Sequence, residues 1–243
     1  MRAAAALLVL LSVGLGSAGC GGAGGDGPLA IFAASSLREA LPALDPAPEY
    51  HFGGSDRLAA QIRDGAQADL FASASPDVMQ ALYDDGLVEA PLAIASNRLV
   101  VVLPRTNPAG IRSLTDLARP GVKLVLGAEG VPIGDYARDA LARAGLRDAL
   151  DNVVSLEDDA KGVLAKVALG EADAGIVYAT DATAADADVV ALHVPQRVQP
   201  QIRYFAAIVT GTARHEQARS YLERLAGPSG RAALRRAGFL PPA

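Results

Sequence analysis

Short apolar runs recurring between amphipathic segments of helix length constrain this chain more than any other feature. Residues 29–32, 50–52, 69–72, 99–103, 123–126, 153–155, 174–178, 189–192 and 202–209 read as strands, and helical spacing of apolar residues fills most of the intervals. Parallel strands need long crossovers, usually helices, so the alternation predicts an α/β fold with mainly parallel sheets flanked by helices. Self-similarity at a fixed period is absent, which argues against solenoids and propellers.

Two stretches break the rhythm with turn residues: Pro-Arg-Thr-Asn-Pro-Ala at 104–109 and Val-Pro-Gln-Arg-Val-Gln-Pro-Gln at 194–201. The simplest topology is two-lobed: residues 29–104 and 200–243 form the first lobe and residues 105–199 the second. The two crossing segments make a hinge, and the cleft between lobes is the natural ligand site. Helices over 213–225 and 229–237 are expected to pack onto the first lobe.

The N-terminus carries a different signal. A basic residue, Arg2, precedes an apolar run from Ala3 to Val13 and a small-residue stretch ending at Cys20, the only cysteine. This reads as a secretory signal over residues 1–19, too short to span a bilayer comfortably. The position of Cys20 after Ser-Ala-Gly resembles the lipobox of bacterial lipoproteins, which implies lipidation there and a protein held on the outer face of a membrane. Ser17 departs from the usual Leu of that motif, so cleavage elsewhere to a soluble form is the alternative. Residues 20–28 form a Gly-rich tether.

The whole chain carries a formal net charge of −5 and no Trp, and its basic residues form no stripe. That composition argues against nucleic acid as a partner. His51, His193 and His215 are isolated, no metal-ligand or Walker pattern occurs, and Gly53-Gly-Ser-Asp-Arg57 misses the GxSxG nucleophile elbow at its last position. No catalytic residue, protein-bound metal or cofactor is therefore expected; a hydrolase on the same fold is the less favoured alternative.

Four junctions between strands and helices stand out: Ala33-Ala-Ser-Ser36, Gly53-Gly-Ser-Asp56, Val131-Pro-Ile-Gly134 and Asp158-Asp-Ala-Lys161. The free amides and hydroxyls at a helix start suit an anion, and small residues let it approach the backbone. The same residues also serve as ordinary N-caps. By the topology above, two junctions belong to each lobe and all four can face one cleft.

These segments resemble the periplasmic molybdate-binding proteins of ABC transporters. The resemblance runs from about Ala30 to Leu240, through Phe32–Leu37, Gly65–Phe71, Asn97–Val102, Val131–Gly134 and Gly175–Asp181. It implies the two-lobed periplasmic-binding-protein fold, a monomer, a membrane permease as partner, and molybdate or tungstate as ligand. Carried over by position, the ligand-binding residues are Ser36 and Ser55 through hydroxyl and amide, Ile133 and Ala160 through backbone amides, and Tyr178 through its hydroxyl. Asp56 departs from a hydroxyl common in that family. It either caps its helix or faces the cleft, where it would accept the proton of hydrogen phosphate, so phosphate and sulfate remain rival ligands.

Overall fold

The computed structural model describes residues 27–185 and 187–242. The signal segment, Cys20 and most of the tether lie outside the described residues.

Two five-stranded sheets make the frame. The first holds β1 (Ala30–Ala34), β2 (Glu49–Gly53), β3 (Leu70–Ser73), β4 (Leu92–Asn97) and β10 (Ile202–Ile208) in the order β2-β1-β3-β10-β4. The second holds β5 (Leu99–Pro104), β6 (Leu124–Gly127), β7 (Val153–Glu157), β8 (Ala174–Tyr178) and β9 (Val189–His193) in the order β7-β6-β8-β5-β9. The lobes thus share one topology, with β6, β7, β8, β5 and β9 standing where β1, β2, β3, β10 and β4 stand.

In both sheets the pairs made by β1 or β6 are parallel, while β10 and β5 run against their neighbours. Each sheet is therefore mixed: four strands point one way and one is reversed. The reversed strand is the one by which the chain enters a lobe from the hinge, and it has to run away from the cleft toward which the others point.

The first crossing lies at Arg98, between β4 and β5. The sequence reading places this lobe boundary after residue 104, but β5 is hydrogen-bonded on both sides within the second sheet, to β8 and β9. The turn residues after 104 mark the far end of a second-lobe strand, not the hinge. The chain returns through 194–201, which join β9 to β10.

The helices follow from apolar spacing. In α2 (Ser55–Arg63) Leu58, Ala59 and Ile62 fall on one face and pack with Phe32 and Phe71 of the first sheet. In α5 (Ala160–Ala168) Val163, Leu164 and Val167 pack with Val125 and Val177 of the second. The shorter α1 (Ala40–Leu44) follows a 3-10 turn at Ser35–Leu37, α3 (Pro76–Asp84) follows β3, α4 (Pro132–Arg143) follows β6, and α6 (Ala179–Ala184) follows β8. Near the C-terminus α7 (His215–Ala226) and α8 (Pro228–Arg236) pack on the first lobe, α7 against β10 and β4, α8 against α1 and α7. Among the described residues no helix is long and apolar enough to cross a membrane.

Candidate anion-binding site

The carboxyl ends of β1, β2, β6, β7 and β8 meet between the lobes around a cavity of about 10 Å³. Its wall is made by Ala34, Ser35 and Ser36 after β1, by Gly53, Gly54 and Ser55 after β2, and by Ala74. The opposite lobe supplies Val131, Pro132 and Ile133 after β6, Asp159 and Ala160 after β7, and Tyr178 at the end of β8. Ser36, Ser55, Ile133, Ala160 and Tyr178 are thus brought to one small space. Pockets for organic ligands usually span about 300–1,000 Å³, far more than this space, which leaves no room for a sugar or peptide and suits a compact ion.

Three helices of at least nine residues, α2, α4 and α5, begin at this wall. The first amides of a helix have no partner within it, and the helix dipole adds partial positive charge there. Pro132 occupies the first turn of α4, where a missing N–H costs nothing, so Ile133 is the first amide that α4 can offer. In α5 the Asp159 carboxylate caps the amide of Gly162 at 2.8 Å and leaves the earlier amides to the cavity side. The charged lining residue is this one acid; the wall contains no Lys, Arg or His.

Of the hydroxyls, Ser55 has a polarity fixed by its partner. Ser55 Oγ accepts the Ala74 amide at 3.0 Å, and Ser36 Oγ lies 2.9 Å from Tyr204 Oη. Tyr178 Oη is buried without any hydrogen-bond partner, although its residue is only 3% exposed. A buried hydroxyl left unpaired costs about 1–3 kcal/mol, which a ligand oxygen would recover. Burial raises the Tyr178 pKa well above that of free tyrosine, so the group keeps its proton for donation.

Behind this wall stand groups that the sequence reading did not single out. Tyr204 and Asn97 lie behind Ser36, with Asn97 Nδ2 donating to Tyr204 Oη at 3.4 Å and to Thr180 Oγ1 at 3.0 Å. Asn97 appears in the sequence only as part of a motif, and Tyr204 as one aromatic residue in an apolar strand. Their proximity to Ser36 depends on pairing across 168 residues, which periodicity does not reveal.

Two acids need placing. Asp56 does not line the cavity; it sits in the first turn of α2, half-buried, and burial is the main reason its carboxyl is pushed above the usual range. Asp181 is fully buried in α6, and its pKa is raised to about 6 by burial, moderated by Lys161, whose Nζ is 3.5 Å away. Lys161, at the start of α5, is thereby tied to an acid of α6.

The lobes touch around the cavity. Tyr136 Oη of α4 donates to the Ala74 carbonyl at 3.3 Å, and Arg57 of α2 pairs with Asp158. Gly54 faces the Asp158 carbonyl so closely that a Cβ there would lie 2.6 Å from that oxygen. The lobes are closed over the cavity, and a glycine is what lets them meet.

Comparison with known proteins agrees with this architecture. A molybdate-binding protein of Mycobacterium tuberculosis is 34% identical over 224 residues, covering 88% of this chain and 85% of that one. A putative ABC transporter substrate-binding lipoprotein of Bacillus subtilis is 30% identical over 223 residues, covering 87% and 85%. The structure of the periplasmic molybdate-binding protein of Azotobacter vinelandii superposes with a TM-score of 0.79 at 22% identity, covering 88% of this chain and 100% of that one, and shows the same fold. Residues 29–240 match the bacterial extracellular solute-binding proteins, and the chain belongs to that family.

Proposed function

We propose that the protein captures molybdate, and tungstate with it, outside the cytoplasm and hands it to the permease of an ABC importer. The observation that carries this reading is the cavity wall itself: hydroxyls of Ser36, Ser55 and Tyr178 and helix-start amides at Ile133 and Ala160 surround one small space without a cation. Such a wall offers hydrogen-bond donors on every side to an ion with four equivalent oxygen acceptors. Hydrogen bonds to a charged group contribute about 1.5–3 kcal/mol each, so five to seven of them exceed the lower range of association costs. The metal arrives wrapped in oxygen, and no protein side chain ligates it. Molybdate is chosen over other tetrahedral oxyanions because relatives at 30–34% identity include molybdate-binding proteins.

Export and anchoring through a lipidated Cys20 complete the proposal, supported by the leader and by the lipoprotein of Bacillus subtilis among the relatives. Calorimetric titration with molybdate, tungstate, sulfate and phosphate tests the ligand. Tight 1:1 binding of molybdate is expected; preference for phosphate, or no heat with any of the four, refutes the reading. Catalysis forms no part of the proposal. Radiolabelled fatty acid should appear on the intact chain and disappear in Cys20→Ala.

A further inference from the structure

We propose that Tyr204 is a positioning and specificity-determining residue, held in one orientation by Asn97, that locks the Ser36 hydroxyl as a donor and so favours oxyanions that carry no proton. The inference rests on the ligand class proposed above and concerns a residue outside the cavity wall.

Asn97 Oδ1 accepts the Arg98 amide at 2.8 Å, which fixes the flip of the side-chain amide and turns Nδ2 toward Thr180 and Tyr204. Tyr204 Oη therefore receives a hydrogen from Asn97. Its own proton has one acceptor within reach, Ser36 Oγ at 2.9 Å, and Tyr204 is fully buried. Were Ser36 to donate in that contact instead, the phenol proton would be stranded in the core without an acceptor. The order is thus Asn97 to Tyr204 to Ser36, and the Ser36 proton is left to point into the cavity.

Ser55 reaches the same condition by another route, because its oxygen already accepts the Ala74 amide. With Tyr178 Oη free of protein partners, three hydroxyls present protons to one space. A fully deprotonated oxyanion accepts from all three. Hydrogen phosphate brings a proton of its own, which at Ser36 would meet a hydroxyl whose proton is already aimed at the ligand and whose oxygen has given one lone pair to Tyr204. The other side-chain acceptors on the wall are the Ser35 hydroxyl and the Asp159 carboxylate, whose Oδ1 already holds the Gly162 amide.

A double-mutant cycle on the full chain tests this. Tyr204→Phe keeps the ring against Phe239, 5.0 Å between centroids, and removes only the hydroxyl. It is expected to weaken molybdate binding about tenfold in the unsubstituted protein and less than about twofold in a Ser36→Ala background, since Tyr204 acts through Ser36. Phosphate should also compete at least about fivefold better against molybdate in Tyr204→Phe, because the Ser36 oxygen is released to accept. Equal losses in the two backgrounds, or unchanged phosphate competition, overturn the proposal while leaving the ligand assignment standing. Failure of the unsubstituted protein to bind any of the oxyanions overturns both.

Discussion

Asp181 gives the most quantitative handle on how the site region is built. Its carboxyl is fully buried, and burial raises its pKa from 3.8 to about 6 despite the nearby Lys161 ammonium. A folded-state pKa above the unfolded value means that the native protein binds this proton more tightly. The group therefore costs nothing well below pH 3.8, and its cost grows as the pH rises through the window from 3.8 to about 6. At 1.36 kcal/mol per pH unit, the full cost above that window is about 3 kcal/mol. Asp181→Asn should remove the pH-dependent part. The amide brings its own uncompensated donors, a pH-independent loss of about 1–3 kcal/mol, so the informative quantity is the change in stability difference between two pH values. Urea unfolding of both proteins at pH 4 and pH 7 should show the variant gaining about 2 kcal/mol on the parent between those conditions, because part of the cost is already present at pH 4. A stability difference that is the same at both pH values would refute the assignment of a raised pKa to Asp181.

Other consequences follow from the cavity wall. Tyr178→Phe should weaken molybdate binding by about tenfold or more while leaving the ligand-free melting temperature nearly unmoved, because Tyr178 Oη bonds nothing in the protein; calorimetry and a thermal scan read the two. Ser55→Ala should weaken binding similarly but also destabilise the ligand-free protein by about 1 kcal/mol, since the Ala74 amide loses its acceptor. Gly54→Ala should leave each lobe folded yet hold the lobes apart against the Asp158 carbonyl; small-angle scattering should show molybdate no longer compacting the protein, and affinity should fall at least about tenfold.

The strands that alternate with helices could be read from sequence because most of them are buried on both faces and rich in branched residues. β5, for example, is Leu-Val-Val-Val-Leu-Pro with every residue buried. β4 escaped notice for the opposite reason. Its Leu92-Ala-Ile-Ala-Ser-Asn97 has a single β-branched residue, lies at a sheet edge and exposes its first two positions, so neither composition nor alternation marks it. Missing that strand moved the lobe boundary, since β5 then looked like the last strand of the first lobe. The helix starts were legible because small residues, Pro and cap formers cluster there. The support behind them was not: Asn97, Thr180 and Tyr204 meet only through the crossing of the two hinge segments, and a polar contact between distant strands leaves no local periodicity to detect.

The two lobes share a strand order, and that explains why a single anion can hold them together. Equivalent strands aim their carboxyl ends at the cleft from opposite sides, so α2 and the Ser35–Leu37 turn from one lobe face α4 and α5 from the other. The contacts that flank the cavity without a ligand are modest. Arg57 and Asp158 are more than half exposed, and such ion pairs contribute about 0–1 kcal/mol. The Tyr136 bond to Ala74 is a neutral one at 3.3 Å, worth about as little. Against these stands the cost of burying Tyr178 Oη unpaired and of drawing the positive ends of three helix dipoles together around one space. An oxyanion reverses both costs at once, accepting the stranded proton and lying where the dipoles converge. On the function proposed above, closure is driven by the ligand more than by the lobes' affinity for each other, which couples the closed shape to an occupied cavity.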